Sequence, residues 1–285
     1  MRTTTCRTCS WGWRAERAAR LDQAPGSHRH DSVTSWQIAG FLLCVALATC
    51  AQNLTGFAMA LILLGLTGLF DLAPLPDMAN VATVLSLANA AIVLRGTLGS
   101  LDWPMLRATA MGSVFGVAGG VLLLGWLNAN VVMVLRLLLG IVVIACAIVV
   151  LLQARPLARR SSNASFHAIG ALSGLLGGLF SVSGPPLVYH FYRQPMRVDA
   201  VRDTLVAALA ASSVLRLAMV VPSGQFSALS LMLCLSALPL AVAISWWLQR
   251  HPPAWPRPTV LKLVCALLLV TGGGLVVSAL KAMLA

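Results

Sequence analysis

The stretch "FSVSGPPLVYHFYRQP", residues 180–195, interrupts one of the most apolar regions of this chain. It follows "AIGALSGLLGGL", which is apolar and rich in small residues, as membrane helices are. Proline removes a backbone donor and clashes with the preceding helical turn, so Pro185 and Pro186 predict a helix break here. Serine, tyrosine, histidine and arginine around the prolines make this break a candidate functional site.

The composition indicates a membrane protein. Hydrophobic residues make up 59% of the chain, charged residues 10%, and the mean hydropathy is +0.87. Soluble domains carry about 45–50% apolar and about 25% charged residues. A spanning helix needs about 20 mostly apolar residues, and such stretches follow one another from Trp36 to the C-terminus. We therefore expect an all-α, polytopic integral protein, multi-pass in the cell inner (plasma) membrane.

The apolar stretches fall into two halves that resemble each other. The segment "TVLSLANAAIVLR", residues 83–95, resembles "TLVAALAASSVLR", residues 204–216, at an offset of 121 that also relates Trp126 to Trp247. A shared offset across consecutive helices predicts an internal repeat. The predicted organisation is a membrane repeat at 33–152, a basic cytoplasmic linker at 153–165 and a second membrane repeat at 166–285.

The basic residues predict how the halves are oriented. Arginines collect in four loops, around Arg95, Arg159, Arg197 and Arg250, whereas loops 127–131 and 222–226 carry no charge. Cytoplasmic loops collect Lys and Arg. All four basic loops can face the cytoplasm only if residues 166–192 enter and return on one side. We therefore expect two inverted repeats, each with a broken re-entrant helix pair and three spanning helices, giving about 8–10 membrane segments. Such repeats are a recurrent design of secondary transporters.

The break itself has the features of an anion site. In lipid, unsatisfied backbone groups cost several kcal/mol, so a break survives only within protein or at a cavity. The N-terminus of the restarting half-helix favours an anion, and Pro185 suits its first position. Ser181 and Ser183 add hydroxyl donors, and Gly184 lets the backbone approach a ligand. The structural alternative is a proline kink that binds nothing.

The second half resembles a known family. "LSGLLGGLFSVSGPPLV" followed by "VRDTL" is similar to the signature of the sulfite exporter TauE/SafE-like permeases. In that family a glycine-rich break ending in Gly-Pro precedes a helix that opens with Arg-x-Thr, here Arg202 and Thr204. The resemblance covers the chain from about Trp36 onward. It implies a secondary transporter, in outward direction, for a small anion such as sulfite, sulfonate or a related organic anion.

The first half departs from the family pattern. "CAQNLTGFAM" keeps Gly56 but lacks the glycine run, so Asn53 and Thr55 offer polar groups there instead. Thr83, which opens the repeated segment of the first half, completes the predicted substrate-binding set. Arg136 and Arg216 are candidates for function, because ionisable residues within a membrane span are expensive. They lie near predicted helix ends, however, and we expect their side chains to extend to the membrane interface instead.

An anion channel and an intramembrane serine protease are the alternatives to a carrier. An anion channel leaves no local motif that would distinguish it. An intramembrane serine protease would use Ser183 with a histidine base, but His190 follows it too closely and His251 lies in a basic loop. We therefore expect no enzymatic activity and no cofactor or metal. The predicted partners are a small anion and the lipid bilayer, without nucleic acid. The driving force would come from coupling to protons or another ion, and the oligomeric state is left open.

Residues 1–32 differ from the rest and predict a disordered basic tail. Cys6 and Cys9, with His28 and His30, do not have the spacing of a zinc finger. The six arginines of the tail oppose the external N-terminus that the inverted topology requires. This conflict disappears if the tail is not translated and the chain starts near Val33.

Overall fold

The computed structural model describes residues 35–95, 98–130, 132–151, 157–251 and 257–284. All of its regular elements in these ranges are helical, which confirms the all-α prediction. The α-helices are α1 Ser35–Thr55, α2 Met59–Leu69, α3 Leu75–Val93, α4 Trp103–Asn130, α5 Val132–Leu151, α6 Asn163–Phe180, α7 Gly184–Phe191, α8 Val198–Val220, α9 Ala228–Arg250 and α10 Arg257–Leu284, with a 3-10 turn at Leu98–Ser100. The expectations about residues 1–32 lie outside the described residues.

By internal packing the chain divides into Met1–Ile38, of which only Ser35–Ile38 are described, and Ala39–Ala285. The contacts below belong to the second unit. At its centre lies α2, whose residues from Met59 to Gly68 are all buried. Large apolar side chains also cover the outside of the unit, with Phe115 80% and Leu122 74% exposed. Such a surface suits lipid rather than water.

Six helices contain stretches long and apolar enough to cross a membrane. They are Gln37–Thr55, Leu75–Val93, Trp103–Leu127, Asp199–Val220, Ala228–Arg250 and Lys262–Lys281. The shortest has 19 residues, which is about 28 Å of helix, against a hydrocarbon core of about 30 Å. The prediction of a multi-pass membrane protein is therefore confirmed. By contrast, α2 and α7 have 11 and 8 residues and are too short to cross alone.

Two short interruptions, residues 56–58 and 181–183, each separate a pair of consecutive helices. Between α6 and α7, Ser181 adopts a left-handed conformation with φ 60° and donates its N–H to the Gly177 carbonyl at 2.8 Å. Between α1 and α2, Gly56 has φ 89°. Each interrupted pair is followed by three helices of 19 residues or more, so the order of elements occurs twice. The repeat boundaries and the inversion of the halves stay predictions.

Helices α4 and α6 pack with their backbones in contact. Glycines one turn apart line both sides of this crossing: Gly112, Gly116 and Gly120 on α4, and Gly170, Gly174 and Gly178 on α6. A Cβ atom on Gly116 would overlap the carbonyl oxygen of Ala171, and one on Gly120 would lie 2.9 Å from the Cα of Gly178. Small residues allow such close approach between membrane helices. The crossing therefore fixes α6, whose C-terminal end forms the second interruption.

Candidate functional site

The two interruptions meet in the interior of the bundle. Gly184, the first residue of α7, lies so close to Phe57 that an added Cβ would be 2.7 Å from the Cβ of Phe57. A narrow cleft opens beside this contact. It is lined from α1, α2, α3, α8 and both interruptions by Gln52, Phe57, Ala60, Ser86, Ala90, Ser181, Ser183, Gly184, Val206, Leu209 and Ser213. None of these lining residues is charged, and the polar ones are four serines and a glutamine.

The second interruption presents hydroxyls rather than many backbone donors. Ser183 is 7% exposed, and its carbonyl accepts a hydrogen bond from Oγ of Ser173 at 2.5 Å, which ties the segment to α6. Ser181 lies 3.0 Å, Oγ to Oγ1, from Thr83 on α3. Pro185 and Pro186 occupy the first turn of α7 and lack N–H groups. The donors left at this helix start are therefore chiefly the serine hydroxyls and the N–H of Gly184.

The first interruption is bridged by Gln52, which the sequence analysis missed. Its Nε2 donates to the Gly56 carbonyl at 3.3 Å, and its Oε1 accepts the N–H of Met59 at 3.0 Å. The side chain thus satisfies backbone groups on both sides of the break, as buried polar groups require. A glutamine four residues before the glycine was the only available signal in the sequence.

Asn53 and Thr55, which were predicted at this site, do not line the cleft. Nδ2 of Asn53 donates to the Thr49 carbonyl at 2.9 Å and to Oγ of Ser245 on α9 at 3.1 Å. The Thr55 hydroxyl donates to the Ala51 carbonyl at 2.7 Å, within its own helix. Both side chains are therefore engaged in packing α1.

The two residues that resemble the Arg-x-Thr of the family lie near the start of α8. They are not among the lining residues of the cleft. Arg202 is exposed. Thr204 is fully buried, where its hydroxyl donates to the Ala200 carbonyl at 2.7 Å and accepts the N–H of Asp102 at 3.0 Å. It holds the segment before α4 in place. Thr83 and Thr204 are equivalent positions of the predicted repeat, but of the two only Thr83 contacts the second interruption.

The structure corrects the expectation for Arg216. Its side chain is 1% exposed and does not extend to the membrane interface, because α3 and α6 pack against this part of α8. Nε donates to the Gly178 carbonyl at 3.1 Å, and Nη1 donates to Oδ1 of Asn80 and to Oγ1 of Thr83, both at 2.9 Å. Through Thr83 it is connected to Ser181 in the cleft.

Comparison with known proteins identifies the family of the chain. Residues 41–275 match the family described as Sulfite exporter TauE/SafE. This chain belongs to the TauE/SafE family. It is also 34% identical over 245 residues to a "Probable sulfite/organosulfonate exporter TauE" of Cupriavidus necator, an alignment that covers 86% of this chain and 96% of that protein. No solved structure matches the chain.

Membership of the TauE/SafE family decides between the functions weighed above. The chain is a membrane permease for small anions and not an enzyme, and neither the channel nor the protease is favoured. The structure gives a physical reason against the protease. Nε2 of His190 lies 3.3 Å from Oγ of Ser165, and its ring packs edge-on against Phe166 at 5.0 Å. Among the described contacts, no histidine is within hydrogen-bond distance of Ser183.

Proposed function

We propose that this permease exports sulfite or a small organosulfonate across the inner membrane, and that the cleft between the two interruptions is its substrate site. The observation that carries the proposal is the joint lining of the cleft by both interruptions, with hydroxyls and an amide among the lining groups. The C. necator relative is described as an exporter of sulfite and organosulfonate, which supports the substrate class.

The polar residues of the lining suit a sulfur oxyanion. Ser181 and Ser183 lie at the second interruption, Gln52 at the first, and Ser86 and Ser213 on α3 and α8. Hydroxyl and amide groups donate hydrogen bonds to an anion, and bonds to an ionised acceptor are about twice as strong as neutral ones. A carboxylate in the lining would repel the substrate, and the lining contains none.

The apolar residues of the lining suit a short organic tail. Phe57, Val206 and Leu209 contribute this surface together with alanines of α2 and α3. A sulfonate combines a charged head with a carbon chain, so the polar lining groups would bind its head and the apolar side chains its chain. Inorganic sulfite would use the polar groups alone. We therefore expect the affinity for alkanesulfonates to rise with the first methylene groups, by about 0.8 kcal/mol for each group that becomes buried.

The shared lining also supports a carrier rather than a pore. The two interruptions belong to different halves of the chain and touch at Phe57 and Gly184. A substrate held by both would feel any relative motion of the halves, as expected for a transporter of two repeats. The driving force would come from coupling to protons or another ion, as expected for a secondary transporter.

Flux measurements on the purified full chain in liposomes test this proposal. Radiolabelled sulfite and methanesulfonate should both show saturable flux, and unlabelled substrate on the opposite side should drive counterflow. Labelled chloride provides the comparison for general anion leakage. Flux that rises linearly with concentration and shows no counterflow would indicate a pore, and absence of flux for both sulfur anions would refute the substrate class.

A further inference from the structure

Arg216 is a buried cation that pairs with no carboxylate of the residues that the structure describes. Its hydrogen bonds go to the carbonyl of Gly178, to Asn80 and to Thr83, with a longer contact of 3.4 Å to the Ala79 carbonyl. All of these acceptors are neutral, and the ion pairs among the described residues do not include Arg216. Charged residues inside a membrane bundle are expensive and generally serve a function.

The neutral contacts leave part of this charge uncompensated. Gly178 is one of the last residues of α6, so its carbonyl belongs to the end of the half-helix that carries about −0.5 charge. This compensates only a part of a full positive charge. In addition, Nη2 is buried and has no hydrogen-bond partner among the described residues. The described contacts of Arg216 thus balance only a part of its positive charge.

The hydrogen bonds of Arg216 connect it to the cleft through Thr83. Arginine has no acceptor, so Oγ1 of Thr83 must accept from Nη1. The single hydroxyl proton of Thr83 then goes to the Ala79 carbonyl at 2.7 Å or to Oγ of Ser181 at 3.0 Å. In the second case Ser181 accepts from Thr83, so its own hydroxyl proton is free to be donated to a ligand in the cleft.

Asn80 holds the guanidinium in this orientation. Its Nδ2 donates to the carbonyl of Gln225 at 2.9 Å and to Oγ of Ser230 at 3.2 Å, so its Oδ1 must face Arg216. Because a carbonyl can only accept, the amide cannot turn over without losing these bonds.

We propose that Arg216 is a positioning residue that supplies the positive charge of the anion site and acts through Thr83 to turn the Ser181 hydroxyl toward the bound anion. This inference rests on the proposed function of the cleft. The two hydrogen bonds place Nη1 within about 6 Å of Ser181 Oγ, so an oxyanion bound to Ser181 would lie within about 9 Å of the guanidinium. At that distance, with an effective dielectric constant of about 20, removing the charge should weaken binding about 20-fold.

Calorimetric titration of the purified full chain with methanesulfonate tests the role of the charge. Arg216→Gln should raise the dissociation constant about 20-fold, whereas Arg216→Lys, which keeps the charge, should stay within about threefold of wild type. Arg136→Gln is the matched control, because Arg136 pairs with Asp71 at 2.5 Å and is partly exposed. It should bind as wild type does.

Thr83→Val tests the connection to Ser181 independently. It keeps the charge of Arg216 but removes the hydroxyl between them, and the dissociation constant should rise about three- to tenfold, the equivalent of one weakened hydrogen bond. If Arg216→Gln does not fold, Thr83→Val and Arg216→Lys decide the question. Retained affinity for methanesulfonate in Arg216→Lys, together with a loss of affinity in Thr83→Val, supports the proposal.

Several results would overturn it. These are wild-type affinity in a folded Arg216→Gln protein, equal losses in the Lys and Gln variants, and wild-type affinity in Thr83→Val. If the wild-type chain bound neither methanesulfonate nor sulfite, the proposed function itself would fail and this inference with it.

Discussion

Replacing Gly177 by alanine tests the Ser183 hydroxyl without changing Ser183 itself. Gly177 lies in the last turn of α6, and a Cβ atom at this position would overlap Oγ of Ser183. The Cβ and Cα of Ser183 would be 3.4 and 3.9 Å from the new atom, which are ordinary contacts. The hydroxyl must therefore leave its rotamer, while the backbone of the interruption keeps its path.

The size of the effect follows from the hydrogen bond that is lost. A hydrogen bond to a charged acceptor contributes about 1.5–3 kcal/mol. The half-saturation concentration of transport should therefore rise between about 10-fold and 150-fold if Ser183 binds the anion. Folding should not suffer, because alanine is favoured over glycine inside a helix by about 1 kcal/mol.

A double-mutant cycle in the liposome flux assay separates this mechanism from general damage. Ser183→Ala removes Oγ, so in that background the new Cβ of Gly177→Ala has nothing to displace. The double variant should therefore transport like Ser183→Ala alone, and the coupling energy should equal the whole effect of Gly177→Ala. Gly119→Ala is the control, since its new Cβ would lie 3.7 Å from Leu175 in ordinary contact.

Two outcomes would contradict the reasoning. Unchanged transport in both Gly177→Ala and Ser183→Ala would show that Ser183 does not contact the substrate. Additive losses in the double variant would show that Gly177→Ala acts through the backbone and not through the hydroxyl.

Three further predictions concern packing and topology. Gly184→Leu should abolish transport because its side chain would overlap Phe57. Gly273→Leu is the control and should transport normally, because no atom lies within 4 Å of an added Cβ there. Transport by Gly184→Leu would mean that the two interruptions need not touch. Gly116→Leu should lower the melting temperature strongly, at a cost of about 3 kcal/mol or more, and an unchanged value would refute the close α4–α6 contact. Cysteines that replace Arg159 and Arg197 should both be labelled from the cytoplasm, and labelling from opposite faces would exclude the inverted repeat.

The sequence was sufficient for features that depend on local chemistry. Paired prolines interrupt a helix whatever surrounds them, and the structure places the break immediately before Pro185, where a proline is tolerated in the first helical turn. The apolar composition likewise required helices in lipid. The repeat offset paired Thr83 with Thr204, although only one of the two lies beside an interruption.

The hydrogen-bond partners of polar side chains could not be predicted from the sequence in the same way. Gln52 and Asn53 are neighbours on α1, yet their directions differ by about 100° around the helix axis. One therefore bridges the interruption and the other reaches α9. Arg216 meets Thr83 across 133 residues of sequence, so its burial depends on how α3 and α8 pack. No periodicity within α8 contains that information.

The glycine contact between α4 and α6 has a consequence for how the permease can move. Where backbones touch, sliding would drive Cα atoms into carbonyl oxygens, so we expect these two helices to travel together as one rigid body. In the predicted repeat the counterpart of this pair is α1 with α9, which meet through side chains, as at Asn53 and Ser245. Side chains can change rotamer and exchange partners at little cost. Alternating exposure of the cleft to the two sides of the membrane would then come from the α1–α9 side of the bundle, with the glycine-packed pair as the stationary frame.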